Sequence, residues 1–142
     1  MCYELYLSTS STGNLSQYNS DWISFRNPDH LDDRYTAILE NERKWYVGSK
    51  SGCSCTFRHL AGGDLNFDEP QDWLPEKQDE LKATAELYRV IASLVQGGEK
   101  VDCLDLWPGA EPAKIKTMSV NLSVVPEKAF RLFEDYHFVF EP

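Results

Sequence analysis

The chain has 142 residues, 42% hydrophobic and 13% aromatic, which suits one globular domain and excludes a disordered chain. Its 14 Lys and Arg stand against 23 Asp and Glu, and the net charge of −9 opposes binding to phosphate backbones, so no nucleic-acid partner is expected. No apolar run reaches the roughly 18 residues of a membrane span and no basic, apolar leader opens the sequence, so a cytoplasmic chain is expected, without membrane association.

In that setting Cys2, Cys53, Cys55 and Cys103 are expected as reduced thiols unless they bind metal or do redox work. Cys2 to Leu7 reads as a strand, with Tyr3, Leu5 and Leu7 on one face and Cys2, Glu4 and Tyr6 on the other. Ser8 to Asp21 is polar and aperiodic, hence a loop. Trp22 to Phe25 is a short apolar patch. From Pro28 the apolar positions Leu31, Tyr35, Ile38 and Leu39 share one helical face, and Asp29, His30, Asp32 and Asp33 fall in its first turns; a strand over Tyr35 to Leu39 is the alternative.

Lys44 to Ser49 alternates, Lys50 to Gly52 reads as a turn, and Cys53 to Arg58 alternates again; the pattern predicts a hairpin. Ala61 to Asp64 breaks it, and Leu65 to Leu74 is a loop with Phe67 and Trp73 as anchors. Pro75 then opens a helix. Leu81, Ala85, Tyr88, Ile91, Ala92 and Val95 recur at helical spacing, Glu76, Asp79 and Glu80 suit its positive end, and Gly97-Gly98 stops it. Val101 to Leu106 is a strand, Thr117 to Val125 another, Pro126 to about Glu134 a short helix burying Phe130 and Phe133, and His137 to Glu141 a last strand.

This order predicts a single α+β domain over residues 1–142. Its core would be a ferredoxin-like βαββαβ unit with a C-terminal strand–helix–strand extension, in a mostly antiparallel sheet. Such a fold carries no function by itself.

Chemistry is concentrated at Cys53-Ser54-Cys55. Two residues apart on a presumed strand, the sulfurs face the same way. As metal ligands they require further donors, for which Cys2, Cys103 and His59 are candidates, although zinc sites favour C-x₂₋₄-C spacing. A dithiol redox pair is expected as C-x-x-C instead. The reading favoured by sequence is that Cys53, Cys55 and Phe57 line the core, with both sulfurs inward.

A thiol enzyme would use Cys55 as nucleophile, His59 as base and Arg58 as anion clamp. Loss of Met1 would place Cys2 first, resembling N-terminal nucleophile hydrolases, though several of those begin Met-Cys-Gly and residue 3 here is Tyr. Gly48 to Gly52 lacks the P-loop pattern, and Asp68, Glu69 and Asp72 lack the spacing of a calcium loop. Asp102 and Asp105, three apart on one strand, are expected to face opposite sides and not to share a proton.

Trp22, Trp45, Trp73 and Trp107 sit at element edges or in loops, as an interaction patch or as plugs, with plugging favoured for Trp73 and Trp107. No cofactor motif is present and none is expected. The function expected first is an acidic inhibitor- or immunity-like module meeting a basic protein surface. The alternative is a thiol-dependent enzyme or metal-binding protein, with Cys53, Cys55 and His59 as ligands.

Overall fold

The computed structural model describes residues 2–29, 31–50, 52–60, 66–71 and 75–142. The expectations placed on His30, residues 61–64, Asp72 and Trp73 lie outside them.

The chain is mixed α+β. One long helix packs on a largely antiparallel six-stranded sheet. The strands are β1 (Glu4–Thr9), β2 (Ile23–Arg26), β3 (Arg43–Ser49), β4 (His59–Leu60), β5 (Val101–Leu106), β6 (Lys116–Asn121), β7 (Leu132–Phe133) and β8 (Tyr136–Glu141). The α-helices are α1 (Asp33–Thr36) and α2 (Gln78–Gln96), and short 3-10 turns span Leu15–Tyr18 and Pro112–Lys114. The main sheet runs β2-β3-β1-β5-β8-β6, while β4 and β7 form a separate parallel pair.

The ferredoxin-like unit is not confirmed. The expected unit needs the 53–58 segment as a strand inserted between β1 and β3, but that segment is not a strand and β3 pairs directly and antiparallel with β1. Within the main sheet the parallel pair is β6–β8. No described helix is long and apolar enough to cross a membrane.

Both faces of the sheet are covered. On one, α2 lays Ala83, Leu87, Val90, Ile91, Leu94 and Val95 against Leu5, Leu7, Val101, Cys103 and Phe138. Each fully buried Leu or Ile there contributes about 1.5–3 kcal/mol of transfer free energy. The buried stripe is rotated from the expected one, since Leu81, Ala85, Tyr88 and Ala92 are only half-buried and border it. On the other face Tyr6, Leu104 and Leu106 pack with Leu39, Tyr35 and Ile38. Covered on both sides, β5 is buried throughout, so its two aspartates must find partners inside.

Three expected elements are corrected. The helix from Pro28 contracts to the single turn α1, capped by Asp32, whose carboxylate accepts from the Arg34 N–H at 2.9 Å. Residues 126–130 form turns, not a helix, although Phe130 and Phe133 are buried as expected. Residues 53–58 form turns instead of a second hairpin strand, and this correction shapes the site described next.

Candidate functional site: a three-cysteine corner

β1 and β3 pair antiparallel with Leu5 opposite Val47, so the residues that lead into β1 lie beside the end of β3. The chain leaving β3 at Ser49 folds straight back. The Ser49 N–H donates to the Cys53 carbonyl at 2.7 Å, the Gly52 N–H donates to the Ser49 carbonyl at 2.8 Å, and Gly52 takes φ of 87°, which suits glycine. The Ser49 hydroxyl donates to the Cys53 carbonyl at 2.5 Å and accepts from the Thr56 N–H at 3.0 Å. A side chain at Gly48 would meet the Gly52 carbonyl oxygen at 2.7 Å, so the return requires glycine there.

Ser54, fully buried, pins the loop to the sheet. Its hydroxyl accepts from the Leu5 N–H at 2.9 Å and donates to the Val47 carbonyl at 2.6 Å, bridging β1 and β3 where their own ladder ends. With Ser54 inside, the flanking cysteines turn toward Cys2. The Sγ atoms of Cys2, Cys53 and Cys55 lie within 4.8 Å of one another. Cys2 is exposed, and Cys53 and Cys55 are half-buried.

The inward, core-filling placement of Cys53 and Cys55 is therefore overturned. Cys103 fills that role, fully buried on β5 against α2. The paired sulfurs do face the same way, but from a turn instead of a strand. Partial burial, then hydrogen bonds with the Cys2 and Cys53 thiols, push the Cys55 thiol up to about 12, while the Tyr3 backbone N–H works the other way.

His59 stands behind this loop. Its Nε2 lies 2.6 Å from the Ser54 carbonyl oxygen and its Nδ1 lies 2.8 Å from Asp105 Oδ2. A carbonyl only accepts, so Nε2 carries hydrogen. A second proton sits between Nδ1 and Oδ2, and the pair is neutral as a unit. Burial opposes the charged imidazole, but the Asp105 carboxylate outweighs it and raises the His59 pKa. The ring stacks on Tyr3 at 3.8 Å between centroids and 5° between planes. Tyr3 donates its hydroxyl to Glu134 at 2.8 Å and takes the edge of Trp107 at 4.8 Å. Sequence reasoning singled out His59 but not Ser54, Asp105 or Tyr3 as its partners; the one local signal was a serine between two cysteines.

The other candidates are placed elsewhere. Arg58 is 3% exposed and spends its guanidinium on Glu76 (2.9 and 2.8 Å) and on the carbonyls of Lys128, Phe130 and Asp68. It ties the segment before α2 to the β7 region. The carboxylate of Glu76, despite burial, is held low by Arg58. Trp22 lies between Lys50 and Lys82, whose Nζ atoms are 4.8 and 4.9 Å from its ring centroid.

A second group of metal-type donors among the described residues is Glu40, Asp102 and His137, again within 4.8 Å. The polar atoms of Asp102 and His137 are already engaged. Asp102 accepts from Ser8 and Asn41 on one oxygen, and from the Glu40 N–H (2.8 Å) and His137 Nε2 (2.7 Å) on the other. Thr117 Oγ1 lies 3.1 Å from His137 Nδ1, so both ring nitrogens of His137 are engaged. This is a closed network that ties the 40–41 turn to the sheet.

In comparisons with known proteins the chain matches no family model, no curated protein and no solved structure, so the geometry of this corner carries the functional reading alone.

Proposed function

We propose that the protein binds a thiophilic metal ion through Cys2, Cys53 and Cys55, on a chain read as one α+β domain. The observation that carries this reading is the convergence of three sulfurs, from stretches about fifty residues apart in sequence, to within 4.8 Å. An ion about 2.3 Å from each sulfur needs them about 3.8 Å apart in a tetrahedral site and about 4.0 Å in a trigonal one, so small side-chain rotations suffice. The backbone around the sulfurs is anchored before any ion arrives, by Ser49, Ser54 and His59. The Tyr3 N–H adds a donor to the Cys55 sulfur, the kind of outer contact that stabilises a bound thiolate.

This reading keeps Cys53 and Cys55 from the ligand set expected from sequence and exchanges His59 for Cys2. Thiol catalysis finds less support, because His59, the base expected for Cys55, commits both nitrogens to Asp105 and Ser54. A reducing, cytoplasmic setting keeps the thiols available. The net charge of −9 supports a basic protein surface as the partner.

The test is titration of the reduced, full-length protein with cobalt(II) and cadmium(II) under argon. One equivalent of ion with intense sulfur-to-metal absorption is expected. Loss of that band in C2S, C53S and C55S, with unchanged thermal midpoints, supports the assignment; a wild-type protein that retains no ion after desalting overturns it.

A further inference from the structure

Resting on that metal-binding reading, we infer that the ion is monovalent copper, held three-coordinate by Cys2, Cys53 and Cys55 and exchanged through Cys2. Among the described residues, the cluster comprises three sulfurs and no fourth ligand atom. The other candidates among the described residues are engaged or placed elsewhere. His59 bonds to Asp105 and Ser54, Glu134 accepts from Tyr3, and Cys103 is fully buried on β5.

Zinc(II) in a structural site takes four ligands, and with three it holds a water as the fourth. Copper(I) is soft, prefers thiolate and is satisfied by three sulfurs in a plane. A set that among the described residues is made only of sulfur therefore matches copper(I). The net negative charge left on three thiolates and one monovalent ion lies at the exposed Cys2 edge, where water screens it.

The exposure of the ligands then assigns the route of exchange. Cys53 and Cys55 are half-buried and flank Ser54, which is hydrogen-bonded to both β1 and β3. Cys2 is exposed and precedes Glu4, where β1 begins. An incoming thiol meets copper on that open side. One copper–sulfur bond forms as the bond to Cys2 breaks, the proton of the incoming thiol ends on the Cys2 sulfur, and copper stays in the +1 state throughout. No oxidant or reductant is required.

The experiment uses the reduced full chain under argon. Copper(I), supplied as its acetonitrile complex, is titrated in competition with bicinchoninate, and the loaded protein is studied by X-ray absorption. One copper per chain with three sulfur neighbours is expected, and copper(I) should displace bound zinc(II) completely. C2S should show two sulfur neighbours and at least tenfold weaker binding, with its melting temperature unchanged. Transfer to excess chelator should be first order in chelator.

A copper site with a fourth light-atom ligand, or zinc(II) holding its place against copper(I), overturns the choice of ion while leaving thiolate metal binding intact. A transfer rate independent of chelator overturns the exchange route. Failure of the wild type to retain any of cobalt(II), cadmium(II), zinc(II) or copper(I) sinks the underlying reading itself.

Discussion

β5 carries two buried aspartates, each paired with a histidine, and they differ in what surrounds the pair. Asp102 collects four donors, from Ser8, Asn41, the Glu40 backbone and His137. Asp105 has His59 on Oδ2, while Oδ1 is buried with no hydrogen-bond partner among the described residues. The first pair is closed on every side and serves the sheet. The second is open on one side, and its histidine reaches forward to the carbonyl between two cysteines. The same two side chains thus make a knot in one place and a support for a site in the other. What decides between them is the number of donors each carboxylate meets.

The largest effect is expected from His59→Ala. It leaves the Asp105 carboxylate buried without its partner and removes the stacking on Tyr3, a loss of about 3–5 kcal/mol in denaturant unfolding. The variant should also hold metal less tightly, because the Ser54 carbonyl loses its anchor. A variant that is destabilised but binds metal as the wild type does would show that His59 serves the fold alone.

Asp102→Asn comes next. An amide cannot accept on both sides, so one of its buried donors must face an NH₂ group, at a cost of about 2–3 kcal/mol. Metal affinity should not change, since this network does not touch the cysteines. Equal losses from Asp102→Asn and Asp105→Asn would remove the distinction between the two pairs.

A pH series separates them further. The folded-state pKa of His59 is raised, so its contribution is complete below the unfolded value near 6.5 and is lost as pH climbs through the folded value. Stability measured from pH 6.5 upward should therefore decline, and Asp105→Asn should flatten the decline by removing the shared proton. A decline that persists in this variant would place its origin elsewhere. The smallest effect is that of Asp105→Asn at neutral pH, within about 1 kcal/mol. Its amide can donate to Nδ1 while Nε2–H still reaches Ser54, so the support for the loop survives.

Much of the scaffold was legible beforehand. The alternation of Leu5 and Leu7 against Tyr6 correctly divided β1 between two faces, and the run Val101–Leu106 matched β5 residue for residue. The three-residue spacing of Asp102 and Asp105 correctly placed them on opposite faces with separate partners. The α2 segment was found through its spacing and its glycine stop, but its buried stripe was offset. Leu81 is as apolar as Leu87, and the choice of which faces inward belongs to the sheet beneath.

The cysteine segment misled because Cys53, Cys55 and Phe57 alternate as a strand does. Only Phe57 reaches the core. The serine hydroxyls at 49 and 54 satisfy backbone groups that a strand would have paired, and Gly48 and Gly52 let the chain double back.

The sequence by itself determined the local elements, one amphipathic helix and the central strands, together with the net charge of −9, because periodicity acts over a few neighbouring residues and charge is a sum over the chain. The tertiary structure alone decided that Cys2 meets Cys53 and Cys55, because that meeting depends on the register of β1 against β3 and on a buried serine that turns its neighbours outward. Side-chain hydrogen bonds between distant segments leave no period in the chain, and they set the geometry of this site.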